Sequence, residues 1–364
     1  MAETQLARNR PAATAVITSP GRTRSSVVRR VIFAVFLPAM LTVYLIAAAP
    51  TMVSAVGSLA SASPLWLLAG LAATVLSMVA FAALRGRTLA VGGARISLRR
   101  TLAASYGAGA VHTTLPGGAV FSTTYAFRHL RAWGASASAT TWSMAITGLL
   151  STLSLSAVGL LGLALSTGTG GSLILPVLEI LLAVAVIFTL VRISRRPDRV
   201  IEWAYAVLVR LNRLRRRPAQ AGAGRLAQIV TDLRMIRPTT RDWIVAAALA
   251  LANWALDCAC LAACCAAVGV HVGYPALLIT YTAGMAAGSL LPLPAGLGAV
   301  ETAMTLGLTV AGAAASPALA AVLLYRLLST GSVVILGWLV VAAQRLQPGT
   351  PRRRSITSLQ TGTP

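Results

Sequence analysis

The sequence predicts an all-α polytopic membrane protein with about six full transmembrane helices and two oppositely oriented re-entrant hairpins, about seven or eight segments by hydropathy. Three observations predict it. The 364 residues are 57% hydrophobic and only 11% charged, with a mean hydropathy of +0.78, which excludes an ordinary soluble globular protein. The basic residues are confined to particular segments. Two proline- and glycine-rich breaks, at Leu115–Gly118 and Leu290–Glu301, interrupt sequence that otherwise reads as membrane-embedded.

Taken in order, residues 1–26 read as a disordered basic tail, 27–345 as the membrane domain and 346–364 as a second disordered basic tail. Arg29 and Arg30, the apolar run after them and Ala47–Pro50 resemble a signal peptide, but the long preceding tail favours a retained signal-anchor. The clearest spans are Val31–Ala49, Pro64–Leu84, Ala137–Leu165, Ser172–Val191, Trp243–Val268 and Pro317–Ala343. Each covers about 30 Å of hydrocarbon at about 1.5 Å per residue. Pro275–Ser289 and Val300–Ala313 flank the second break and reach only about 20 Å each by the same arithmetic.

In a soluble protein the net charge of +23 would suggest nucleic acid; here its distribution reports orientation. All 31 basic residues are arginine. Six precede the first span, five lie in 85–100, two are Arg128 and Arg131, thirteen lie in 192–241, four in 345–354, and Arg326 sits inside a span. The linkers 50–63, 166–171, 269–274 and 311–316 contain none. The positive-inside rule puts the arginine-bearing segments and both termini in the cytoplasm. A single crossing at Thr101–Phe127 would put the thirteen-arginine loop outside, and about 27 residues are too few for two full spans. A cytoplasmic re-entrant hairpin fits, with its tip at Pro116, Gly117 and Gly118. The same parity makes Pro275–Ala313 a hairpin entering from outside, broken at Pro292, Pro294, Gly296 and Gly298.

Both breaks carry a Leu-Pro start, a glycine pair and a small-residue exit, LPGGAVFSTTY from Leu115 and LPAGLGAVETA from Leu293. This is a weak inverted repeat, of the kind whose broken segments meet near the midplane to form a transport site. The competing reading is that the glycines serve only close helix packing.

Charged groups at membrane depth are costly and must pair, neutralise or meet a polar ligand. Glu301, Asp257 and Arg326 are the three singled out, with Asn253 one turn before Asp257 on the same face. An ion pair of Arg326 with Glu301 or Asp257 is a natural arrangement. Its bland version is structural; its functional version adds a lipid phosphate on the guanidinium fork and a carboxylate that balances it or carries a proton. Arg128, His129 and Arg131 anchor the first hairpin's exit or draw anionic headgroups to it. His112, near that tip, reads first as a hydrogen-bonded structural residue and second as a proton relay. Glu179 has no nameable partner. In the cytoplasmic loop 192–241, Ile201, Ala204, Tyr205, Leu208 and Leu211 recur at helical spacing beside Arg210, Arg213 and Arg215–Arg217, as in a basic amphipathic helix on anionic lipid; its attachment to spans disfavours nucleic acid. Cys258, Cys260, Cys264 and Cys265 lack metal-ligand spacing and read as packing residues. No Walker loop, zinc-protease motif or other catalytic signature is present, so the sequence predicts no cofactor or metal and disfavours an enzyme, with an intramembrane lipid-modifying enzyme as a third reading.

The series LPGGAVFSTTYAFRHLRAWG, NWALDCACL, LLPLPAGLGAVE and LLYRLLS, spread over Arg95–Ala343, resembles the flippase-like integral membrane family built on the transmembrane region of lysylphosphatidylglycerol synthases. The most specific signal is P-x-P-x-G-x-G-x-x-E followed about 25 residues later by Tyr325-Arg326. The alanine- and arginine-rich style is similar to actinobacterial members, and the roughly 20 residues expected after the last span are too few for the synthases' aminoacyltransferase domain, which points to a stand-alone homologue and not a synthase. The resemblance implies a protein of the bacterial cytoplasmic membrane that moves a lipid or lipid-linked molecule, with an anionic or lipid-linked headgroup, between leaflets. Its alternative is a non-transporting scaffold for a lipid- or polysaccharide-modifying enzyme. Tyr325 joins Glu301, Arg326, Asp257, Asn253 and Arg128 as a substrate or translocation candidate.

Overall fold

The computed structural model describes residues 62–115, 117–166, 236–290 and 294–346, with scattered positions between 206 and 232. All of these lie in one compact unit, Tyr44–Pro364. The expected spans Val31–Ala49 and Ser172–Val191, both tails, Glu179, the apolar face of the loop helix, Pro116 and Pro292 lie outside the described residues.

The described elements are helical: α1 (Pro64–Val91), α2 (Leu98–Thr114), α3 (Gly118–Ala132), α4 (Ala137–Ser166), α5 (Thr240–Ala267), α6 (Tyr274–Leu290), α7 (Ala299–Val310), α8 (Ala315–Arg326) and α9 (Ser332–Leu346). A 3-10 turn, Pro294–Gly296, stands between α6 and α7, and a π-helical segment, Leu327–Gly331, joins α8 to α9. By length and composition α1, α4, α5 and the continuous path Ala315–Arg345 can each cross a membrane. Many of their large exposed side chains are apolar, among them Leu68, Leu76, Leu161, Ile244, Ile335 and Leu339. Such an outer surface suits hydrocarbon and not water. The chain is a multi-pass membrane protein.

One boundary differs in a consequential way. The expected span ends at Leu84, just before Arg85, but α1 continues to Val91, so Arg85 and Arg87 are helical residues. The helix continues because Arg, Thr, Leu and Ala all tolerate it, and Gly92 and Gly93, the latter at φ +86°, end it.

Small residues set the packing. The most extensive helix interface joins α1 to α5, where Gly70, Ala73, Thr74 and Ser77 let the backbones approach. Ser77 donates to the Asn253 carbonyl (2.9 Å), and Thr74 donates to Cys260 Sγ (3.2 Å). At one end of this pair Arg87 meets Asp242 at 2.8 Å. The free cysteines Cys258, Cys260, Cys264 and Cys265 are buried, in a core shared with Leu277 and Tyr281 of α6, Met304 of α7 and Val322 of α8. All four side chains lie within that apolar core.

Two helical hairpins, α2–α3 and α6–α7, pack on these long helices. In the first, Gly117 adopts φ +66°, and Gly118 lies so close to the His112 carbonyl that a Cβ would collide with it. In the second, Gly284 and Gly288 of α6 face Met304 and Val300 of α7. The two hairpins touch, because α2 packs against the Pro294–Gly296 turn. Helix α2 also packs on α9, where Gly337 sits directly against the Tyr106 carbonyl and Ala110 Cβ.

That contact gives a paired prediction. Gly337→Ala should destabilise the purified protein by about 1–3 kcal/mol, because rigid backbone must move aside. Gly148→Ala on α4, where an added Cβ meets nothing within 4 Å, should be neutral or stabilising by up to about 1 kcal/mol. Thermal unfolding in detergent checks both.

Candidate functional site

The second break is built by backbone that few residues accept. Ala295 adopts φ 54°, Gly296 φ +63° and Gly298 φ +83°. Gly296 is needed twice over, since a Cβ there would lie 2.7 Å from Gly288 Cα. A carbonyl and an amide in this stretch are satisfied by side chains. Arg326 donates from Nη2 to the Ala295 carbonyl (2.7 Å), and Gly298 N–H donates to Glu301 Oε2 (2.7 Å), at the start of α7. The circuit closes through Arg326 Nε, which donates to Glu301 Oε1 at 2.8 Å, with both side chains mostly buried. Of the two pairings open to Arg326, the fold selects Glu301.

Asp257 takes a different set of partners. Tyr281 on α6 and Tyr325 on α8 both donate to its Oδ2, at 2.6 and 2.9 Å. The two tyrosine rings stand edge to face with centroids 6.3 Å apart, and Trp254 stacks edge-on against Tyr281 at the same separation. Trp254 is itself fixed by donating to the Ser151 carbonyl of α4 (2.7 Å). Asn253 is drawn away from Asp257: its carbonyl and its Oδ1 both accept from Ser77 on α1.

Tyr325 and Arg326 are consecutive, yet they reach different carboxylates on different elements. Directly after them the helix widens into the π segment Leu327–Gly331, whose Leu328 lies against Gly70 of α1. Single π turns inside helices occur often at functional sites. Glu301, Arg326, Tyr325 and Asp257 therefore form one connected polar group, tied through Gly298 and the Ala295 carbonyl to the break itself.

The remaining candidates lie apart from it. Arg128 is exposed on α3 and makes no ion pair among the described residues. Arg131 donates to the Ala135 carbonyl (2.7 Å), which anchors the end of α3. His129 stacks on Tyr125 with centroids 4.0 Å apart, and Tyr125 OH donates to Gln344 Oε1 of α9 (2.6 Å). His112 departs from the expectation of a hydrogen-bonded structural residue. It is exposed at the end of α2, and its ring makes no hydrogen bond among the described residues, because its neighbours Val111 and Thr114 take the buried positions.

Two buried polar residues are not singled out by sequence, Tyr281 inside the connected polar group and Arg85 outside it. Tyr281 carried a usable signal: a tyrosine in an apolar segment needs a partner for its hydroxyl. By sequence Arg85 is one more arginine of a positive segment, but in the fold it is almost fully buried and donates from Nη1 to Ser105 on α2 (3.1 Å).

No curated protein matches the chain. A family model described as the lysylphosphatidylglycerol synthase TM region matches residues 31–337, which takes in both hairpins, the break and its ion pair. Over that length, the chain belongs to the lysylphosphatidylglycerol synthase transmembrane-region family.

Proposed function

We propose that the chain moves a lipid or lipid-linked molecule between the leaflets of the bacterial cytoplasmic membrane, with both termini cytoplasmic and the two hairpins entering from opposite faces as an inverted repeat. One observation carries this reading. Adjacent residues of α8 hold two carboxylates at membrane depth, beside a broken segment that packs on the first hairpin. Broken backbone and ionisable groups at that depth are retained where they line a path for a polar group.

In this reading Arg326 is the headgroup contact, using those of its five N–H donors that Glu301 and Ala295 leave free. An arriving phosphate competes with Glu301 for the guanidinium, which loosens the break and α8 together. Asp257 receives both tyrosine hydroxyls on Oδ2, leaving Oδ1 for a proton or a polar ligand. Arg128, at the end of the first hairpin, attracts anionic headgroups to its mouth.

The test is headgroup exposure in vesicles carrying the purified protein, read by a leaflet-accessibility assay. Glu301→Gln, Arg326→Gln and Asp257→Asn should each slow exposure at least about tenfold, the loss expected when one charge-assisted contact goes. Wild-type rates in all three would sink the transport role of these residues. A pure protein that moves nothing, but copurifies with a lipid- or glycan-modifying enzyme, would favour the scaffold reading.

A purely structural ion pair can be told apart by a second measurement. Arg326→Gln alone leaves Glu301 buried and unpaired and should cost about 3 kcal/mol of stability. The double variant Glu301→Gln/Arg326→Gln should recover much of that loss in thermal unfolding. Transport should stay abolished in the double variant; its recovery along with stability would mark the pair as structural.

A further inference from the structure

We infer that Arg85 anchors a second anion site, for a phosphate group carried by a lipid headgroup or free in solution, separate from the Glu301–Arg326 pair. Arg85 lies on α1 six residues before its end, about 9 Å into the helix by rise. It is 9% exposed, its guanidinium sits 4.9 Å from the Phe81 ring centroid, and Nη1 donates to Ser105 Oγ. Its Nε is buried without a partner.

No counter-charge answers this cation among the described residues. Asp242 is engaged by Arg87 two positions on, Asp257 by two tyrosines and Glu301 by Arg326, while Asp232 is exposed. Ser105 gives only an acceptor, because its own proton goes to the Thr101 carbonyl (2.9 Å). The nearby hydroxyls of Thr88 and Ser143 hold the Arg85 carbonyl, not its side chain. The backbone is thus pinned between α1 and α4 while the buried Nε–H of the guanidinium stays unfilled. A buried cation in this state calls for a charged acceptor, and the guanidinium fork suits the oxygens of a phosphate. Arg99 and Arg100, exposed in the first turn of α2 within two turns of Ser105, add attraction for an anion approaching that end. The site needs binding only, so it stands whether or not the chain moves lipid.

The experiment uses the full chain purified in a neutral detergent, with thermal unfolding and equilibrium binding read against two probes. One is inorganic phosphate; the other is phosphatidylglycerol in mixed micelles, with diacylglycerol as the phosphate-free control. Wild type should be stabilised by at least one phosphate-bearing probe and not by diacylglycerol. Arg85→Gln should weaken that binding about tenfold, the worth of a charge-assisted contact, whereas the exposed Arg95→Gln should not. A response to phosphate alone assigns the soluble ion; a response only to phosphatidylglycerol assigns the headgroup. Arg85→Lys keeps the charge but not the fork, and should show the same loss if the glutamine variant aggregates. No response of wild type to either probe, equal losses in the Arg95 and Arg85 variants, or unchanged binding in both Arg85 variants would overturn the site.

Discussion

Hydrocarbon offers no hydrogen bond to a chain that leaves the helical path, so every group freed by a break must be met from within the protein. In this molecule that demand falls on the ion pair between Arg326 and Glu301. The guanidinium meets the turned carbonyl of Ala295, the carboxylate meets the amide of Gly298, and each neutralises the other. The left-handed conformation of Ala295, uncommon for a residue with a Cβ, is held by that pair of contacts. Because Tyr325 precedes Arg326, fixing one side chain fixes the register of α8 against α5 and brings the tyrosine hydroxyl to Asp257. The break, the last membrane path and the buried carboxylate are therefore mechanically one unit.

Three arginines show how far environment divides a single residue type. Arg326 is mostly buried and paired, Arg87 is partly exposed and paired with Asp242, and Arg85 is buried without an acidic partner among the described residues. The first belongs to the architecture of the break and the second to the join between α1 and α5. The third joins α1 to α2 through Ser105 and lies over Phe81, yet meets no carboxylate among the described residues. Polar groups elsewhere in the helix bundle follow a simpler rule, since serine and threonine hydroxyls mostly return to carbonyls three or four residues back on their own helix. Those bonds satisfy the hydroxyl locally, while Thr74, Ser77 and Ser143 instead reach across to a neighbouring helix.

Much of the fold was legible because the bilayer imposes a strict length and polarity on whatever crosses it. The expected spans Ala137–Leu165 and Trp243–Val268 agree closely with α4 and α5, and the short segments flanking the second break agree with α6 and α7. The site was legible in part for the same reason: Glu301, Asp257 and Arg326 were conspicuous as charges in apolar surroundings. What hydropathy could not resolve was the end of α1, since an arginine at a helix end reads alike whether it reaches water or turns inward. The π segment left no mark either, because it differs from an ordinary helix only by one hydrogen-bond step.

By itself the sequence determined that this chain lives in a membrane, which segments are long enough to cross it, where the backbone must break and which charges needed partners. All of these follow from composition and spacing along one dimension. Which partner each charge received was decided by tertiary structure alone. Arg326 could reach either acid in principle; the crossing of α8 between α5 and the start of α7 gave it Glu301 and gave Asp257 two tyrosines that lie 24 and 68 residues away in sequence. Hydrogen bonds and ion pairs act over about 3 Å, and sequence separation carries no information at that range until the helices have packed.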